Sequence, residues 1–82
     1  MKENLIPLDK LPVGRSGKVR KLTALGSARR RMLDLGIIYD TTIESLWKSP
    51  AGDPVAYQIR GAVIALRSEE ASKVLIESIE RE

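Results

Sequence analysis

Residues Ser49–Leu66 read SPAGDPVAYQIRGAVIAL. Pro50, Gly52 and Pro54 crowd the start of the stretch, and residues 50–54 carry the chemistry of a turn. From there Val55, Tyr57 and Ile59 alternate with Ala56, Gln58 and Arg60, the period-two pattern of a strand with one face inward. Gly61 interrupts the run, and Ala62–Leu66 resumes as a short strand that is apolar on both faces. Two strands and two turns in so short a segment point to an antiparallel sheet of short strands.

The flanking sequence extends that reading. Upstream, IIYDTTIESLWKS (Ile37–Ser49) is β-branched and alternates over Thr41, Ile43, Ser45 and Trp47. It is therefore expected to be the partner strand, with Trp47 on the core side. Near the N-terminus Leu5, Ile6 and Leu8 end a strand before the tight loop built on Pro12 and Gly14. In the segment opened by Gly17, Val19, Leu22 and Leu25 break strict alternation, which predicts a bulged or bent strand. SARRRMLDLG (Ser27–Gly36) is the exception. Ser27 is a good N-cap and Gly36 a good residue just past a helix end, and between them Ala28, Met32 and Leu35 follow helical spacing. These three are expected to face the core, with Arg30 and Asp34 pointing away, Arg31 flanking the apolar stripe, and Leu33 beside Arg29 on a half-exposed sector. Downstream, Ser68 is expected to cap a brief acidic turn, and residues 74–79 fit either a strand or a helix. The fold class that follows is mainly β: a small antiparallel barrel with one or two short helices, closed so that no strand edge is left exposed.

Composition narrows the function. Eighty-two residues suit one domain spanning 1–82, with an aliphatic core, since Phe is absent and the aromatic residues are Trp47, Tyr39 and Tyr57. There is no Cys and no His, which removes thiol chemistry, zinc-finger spacings, the commonest metal ligands and the commonest general base. No nucleophile has a base beside it, and the Gly-rich loop with Lys-Ser/Thr that cradles phosphates is missing. The chain is not expected to be an enzyme or to hold a cofactor. Its longest apolar run, Ala62–Leu66, is far short of the roughly 20 residues a membrane-spanning helix needs, and a cytoplasmic location is expected. Residues 1–36 carry nine Lys/Arg against three Asp/Glu, a net of +6, whereas residues 37–82 carry five against eight, a net of −3. One basic face is therefore expected, able to meet acidic protein or phosphate.

Three stretches in order, LDKLPVGRSGKV (Leu8–Val19), RRRMLDLGI (Arg29–Ile37) and the long segment from Ser49 to Val74, resemble the FeoA family. The resemblance covers nearly the whole chain. It implies an SH3-like barrel and an accessory role in bacterial ferrous iron uptake. The implied partner is a FeoB-type membrane transporter with a cytosolic GTPase domain, whose cycle or assembly the small domain modulates by direct contact. The chain would then be peripheral to the membrane only through that partner, and homo-oligomers are left open. One departure stands out: where members of the family tend to have Pro-Gly after the helix and its hydrophobic residues, this chain has Tyr39-Asp40.

For the partner-binding surface the candidates are Arg29, Arg30, Arg31 and Leu33, where guanidinium groups can grip carboxylates beside an apolar anchor, and Trp47 as a further anchor. No metal site is expected. A weak transition-metal site at Glu69 and Glu70 is one alternative, although those residues also suit a helix start. A nucleic-acid module is the other, since PVGRSGKVRKL (Pro12–Leu22) resembles the KOW-like strand of ribosomal SH3-like domains. The acidic second half and the lack of paired aromatic residues stand against it.

Overall fold

The computed structural model describes residues 4–79. Its strands are β1 (Leu5–Pro7), β2 (Ser16–Leu22), β3 (Thr42–Lys48), β4 (Val55–Ile59), β5 (Ala62–Leu66) and β6 (Val74–Ile79). A 3-10 turn over Leu8–Lys10 follows β1; helix α1 (Gly26–Asp34) lies between β2 and β3, and the short α2 (Ser68–Ala71) between β5 and β6. The strands form one antiparallel sheet in the order β1-β6-β2-β3-β4-β5. The expected hairpin is present: β3 pairs with β4, β4 with β5, and Arg60 and Gly61 both adopt positive φ in the two-residue turn between β4 and β5. Residues 74–79 resolve as a strand, β6, which pairs with both β1 and β2.

The sheet curls around an aliphatic interior. Val19, Ile43, Ile59, Leu66, Val74 and Ile76 are buried on its concave face together with Leu8, Ile37 and the ring of Tyr57. Curvature enters through two register shifts. One falls between Val19 and Lys21 in β2, as the broken alternation predicted, and the other between Ser45 and Trp47 in β3. The second shift corrects the reading of Trp47. Ile43 and Ser45 point inward, but the extra residue at the bulge reverses the phase, and Trp47 emerges 57% exposed.

Three further expectations need adjustment. The barrel is not a hydrogen-bonded ring: β1 and β5 end the strand order and no ladder joins them among the described residues. β1 is three residues long and finishes on Pro7, which has no N–H to offer. Neither helix is capped by the serine at its start. α1 begins two residues early, with Leu25 rather than Ser27 at the N-cap position and no side-chain cap, and Leu25 itself is largely exposed beyond the end of β2. In α2 the Ser68 amide donates to Asp53 Oδ1 at 2.7 Å and the Arg67 amide to Glu70 Oε1 at 3.1 Å, so the cap comes partly from the turn before β4.

Candidate partner-docking surface

The end of α1 fixes everything around it. Gly36 has φ +93°, its N–H donates to the Leu33 carbonyl at 3.0 Å, and the Ile37 N–H donates to the Met32 carbonyl at 3.0 Å. This pair of bonds is a Schellman motif, and its usual hydrophobic contact is available because Met32 and Ile37 are both buried. Leu35 packs partly against the same core, but Ala28, expected there, is exposed. The helix meets the barrel with its C-terminal half only, so its first turns project into solvent and carry Arg29 and Arg30 with them.

The three arginines have different fates. Arg31 pairs with Glu70 of α2, whose other carboxylate oxygen accepts from the Arg67 amide, so this guanidinium helps tie α1 to α2. Arg29 Nη1 donates to the Leu22 carbonyl at 3.3 Å, laying its side chain along the gap between α1 and β2. Arg30 makes no ion pair or hydrogen bond among the described residues. Leu33 is 41% exposed and shares one wall with Arg29, as the helical angle implied. Trp47 stands apart, at the far end of β3, and lines none of the clefts that α1 forms.

Sequence reasoning missed what lies opposite α1. A cleft of about 380 Å³ runs between the helix and β2, with Leu33, Ile38 and Tyr39 as apolar lining and Lys21 and Arg29 as cations. Arg29 and Leu33 also line a second hollow of about 360 Å³ that includes Arg30 and Asp34, and Ile38 and Tyr39 also line a third of about 470 Å³ that includes Asp40. The burial of Ile37 turns Ile38 outward, 41% exposed, and Tyr39 follows at 69%. Ile37 and Ile38 lie in a loop with no strand or helix period, so no signal in the sequence fixed the outward turn of Ile38 or its placement against β2.

Tyr39 is held by charge. Arg20 lies over its ring at 5.3 Å, a cation–π contact, while Arg20 Nη1 donates to Asp40 Oδ1 at 2.8 Å and Nε to Glu77 Oε1 at 2.9 Å. The bonds it donates to Asp40, then to Glu77, raise the guanidinium's pKa further. The Asp40 carboxyl is correspondingly held below the ordinary carboxylate range, first by Arg20 and then by Lys18, 3.8 Å away. Asp40 itself has φ +74°, a left-handed conformation in which Asp is tolerated and Gly is strain-free. At this departure from Pro-Gly, Asp40 takes a left-handed turn position and supplies a carboxylate that locks Arg20. Arg20 is thereby neutralised, and the cations left for a partner along the cleft are Lys21, Arg29 and Arg30.

Among the described residues no group of three or more acidic side chains is placed to hold a metal ion, and no helix is long and apolar enough to cross a membrane. Comparison with known proteins agrees with the architecture. An NMR structure of a FeoA-like protein from Clostridium acetobutylicum superposes with a TM-score of 0.89 at 32% identity, covering 100% of this chain and 94% of that one. The crystal structure of Stenotrophomonas maltophilia FeoA complexed with zinc, described as an SH3 domain protein, gives a TM-score of 0.76 at 28% identity, covering 85% and 87%. A fusion of Fe(2+) transport protein A with the Fe(2+) transporter FeoB in Porphyromonas gingivalis is 32% identical over 72 residues, which is 88% of this chain and 8% of the fusion. The chain thus spans only a small part of that relative's length. With the FeoA domain model matching residues 6–78, nearly every described element included, the chain belongs to the FeoA family, whose members are linked to ferrous iron transport.

Proposed function

We propose that this domain is a cytosolic accessory protein of ferrous iron uptake that docks on a FeoB-type transporter through α1 and biases the transporter's GTPase cycle or assembly. The observation that carries the reading is the fusion in the Porphyromonas gingivalis relative, where a FeoA-like segment and a FeoB transporter are one polypeptide and therefore work side by side. The projecting face of α1 supports it: Arg29 and Arg30 make no ion pair among the described residues and stand beside Leu33, the pattern of charged rim and apolar anchor found in protein interfaces. A docked domain can shift a conformational equilibrium only by binding one state better than another, so no catalytic group of its own is required.

Co-purification from cells producing a FeoB-type transporter tests this. Wild-type protein is expected to be retained with the transporter, and the Arg29→Ala, Arg30→Ala, Leu33→Ala variant to be lost from it while keeping wild-type circular dichroism. Equal retention of the two would show that α1 is not the contact.

A further inference from the structure

We infer that the cleft between α1 and β2 receives the apolar stripe of an acidic amphipathic helix belonging to the partner. The inference rests on the docking role proposed above and specifies the chemistry on the other side.

The cleft's lining sets the charge. Leu33, Ile38 and Tyr39 expose apolar surface in the main cleft, where Lys21 and Arg29 are the cations without an ion pair among the described residues and no Asp or Glu is part of the lining. Arg30 stands in the neighbouring hollow that Arg29 and Leu33 also line, together with Asp34. An occupant must therefore be apolar on one side and acidic at its margins.

Backbone geometry sets the shape. β2 pairs with β6 out to Leu22 but with β3 only out to Lys18. Beyond that the Val19 N–H donates to the Thr41 carbonyl, the Val19 carbonyl accepts from the Asp40 N–H and the Leu22 carbonyl accepts from Arg29, which leaves the cleft floor too short a free edge for an added strand. The occupant must satisfy its own backbone, as a helix does.

Aromatic content excludes two other occupants. Proline-rich peptides and unpaired bases need several stacked aromatic platforms. Here Tyr39 is the sole aromatic side chain in the cleft, since Tyr57 is buried and Trp47 sits at the opposite end of β3. Another copy of this chain does not fit either. α1 carries three arginines and α2 is four residues long, so neither described helix is an acidic amphipathic one.

The test titrates the isotope-labelled full chain with a synthetic peptide of about four helical turns, with Leu at helical i, i+3, i+4 and i+7 spacing and Glu elsewhere. The control peptide has Lys in place of Glu. The acidic peptide is expected to shift the resonances of Leu33, Ile38 and Tyr39 and to bind more weakly as salt rises. Its affinity should fall about tenfold or more in the Lys21→Glu, Arg29→Glu, Arg30→Glu variant, since each reversal turns attraction to the peptide's acidic margin into repulsion. The Gln versions of the same three substitutions give a smaller loss and serve if charge reversal impairs folding. Equal binding of both peptides, shifts confined to another face, or shifts caused by phosphatidylglycerol vesicles but not by the acidic peptide would each overturn the inference. Capture of the transporter that depends on Arg29, Arg30 and Leu33, alongside a silent acidic peptide, would refute the helix while leaving the docking role intact. Peptide binding without any capture would refute the docking role instead.

Discussion

Replacing Gly36 with alanine probes how the docking surface is built. Gly36 sits at φ +93°, where an L residue is disfavoured by about 1–2 kcal/mol. A stiffer unfolded chain returns about 0.4–1 kcal/mol of that cost. The added Cβ would lie 2.5 Å from Arg60 Cδ, so that side chain must leave its rotamer at about 0.5–1.5 kcal/mol. The expected net loss is about 0.5–3 kcal/mol, or a fall in melting temperature on the order of 2–24 °C for a domain of this size. Gly52→Ala is the control: its φ is +89° and nothing lies near the added Cβ, so it should show the backbone cost alone. Urea unfolding followed by far-ultraviolet circular dichroism is the assay. In an Arg60→Ala background the excess at Gly36 should disappear, a coupling that a double-mutant cycle reads directly. A Gly36→Ala protein that unfolds at the wild-type midpoint would refute the reasoning that a left-handed residue ends α1.

Other expectations follow from particular side chains. Trp47 should emit as a water-exposed indole, open to acrylamide quenching, and Trp47→Ala should change stability by about 0.5 kcal/mol or less, as for other surface positions. Asp40 has a depressed carboxyl pKa, so its contribution is complete above the unfolded value of 3.8 and is lost as pH falls below it; acid unfolding of Asp40→Asn should lack this component. Burial, and to a lesser degree the charges of Asp9 and Asp53, push the Tyr57 phenol up to about 12. Its neutral form is thus favoured in the fold, and stability should be unaffected below the normal value of 10 and decline as pH rises from there toward 12, with late ionisation visible by ultraviolet absorbance.

The parts of the fold written in local pattern were legible from the sequence. Val55, Tyr57 and Ile59 gave β4 by alternation, and the broken alternation of Val19 and Leu22 gave the bulge of β2. Gly36 marked the end of α1, and helical angle placed Leu33 beside Arg29. What escaped depends on partners distant in sequence. The phase of Trp47 is set by a register shift against β4, not by its own strand. The cap of α2 comes from Asp53, and the fate of Arg31 from Glu70, 39 residues away. Likewise Ser27 has the chemistry of a cap but α1 starts ahead of it, and Ala28 has core spacing but lies on the part of the helix that clears the barrel. For the docking surface, the cations and Leu33 could be read in one helix. Ile38, Tyr39 and Lys21 could not, because only folding brings the loop after α1 against β2.

The proposed docking role requires that the exposed face of α1 be a contact surface. Isothermal calorimetry of the purified domain against the cytosolic portion of a FeoB-type transporter tests this most directly, comparing wild type with the Arg29, Arg30, Leu33 triple-alanine variant. Saturable binding by the wild type, weakened about tenfold or more in an equally stable variant, is the predicted result, in line with the loss of a central apolar anchor and two charges. Equal affinity for the two proteins would contradict it.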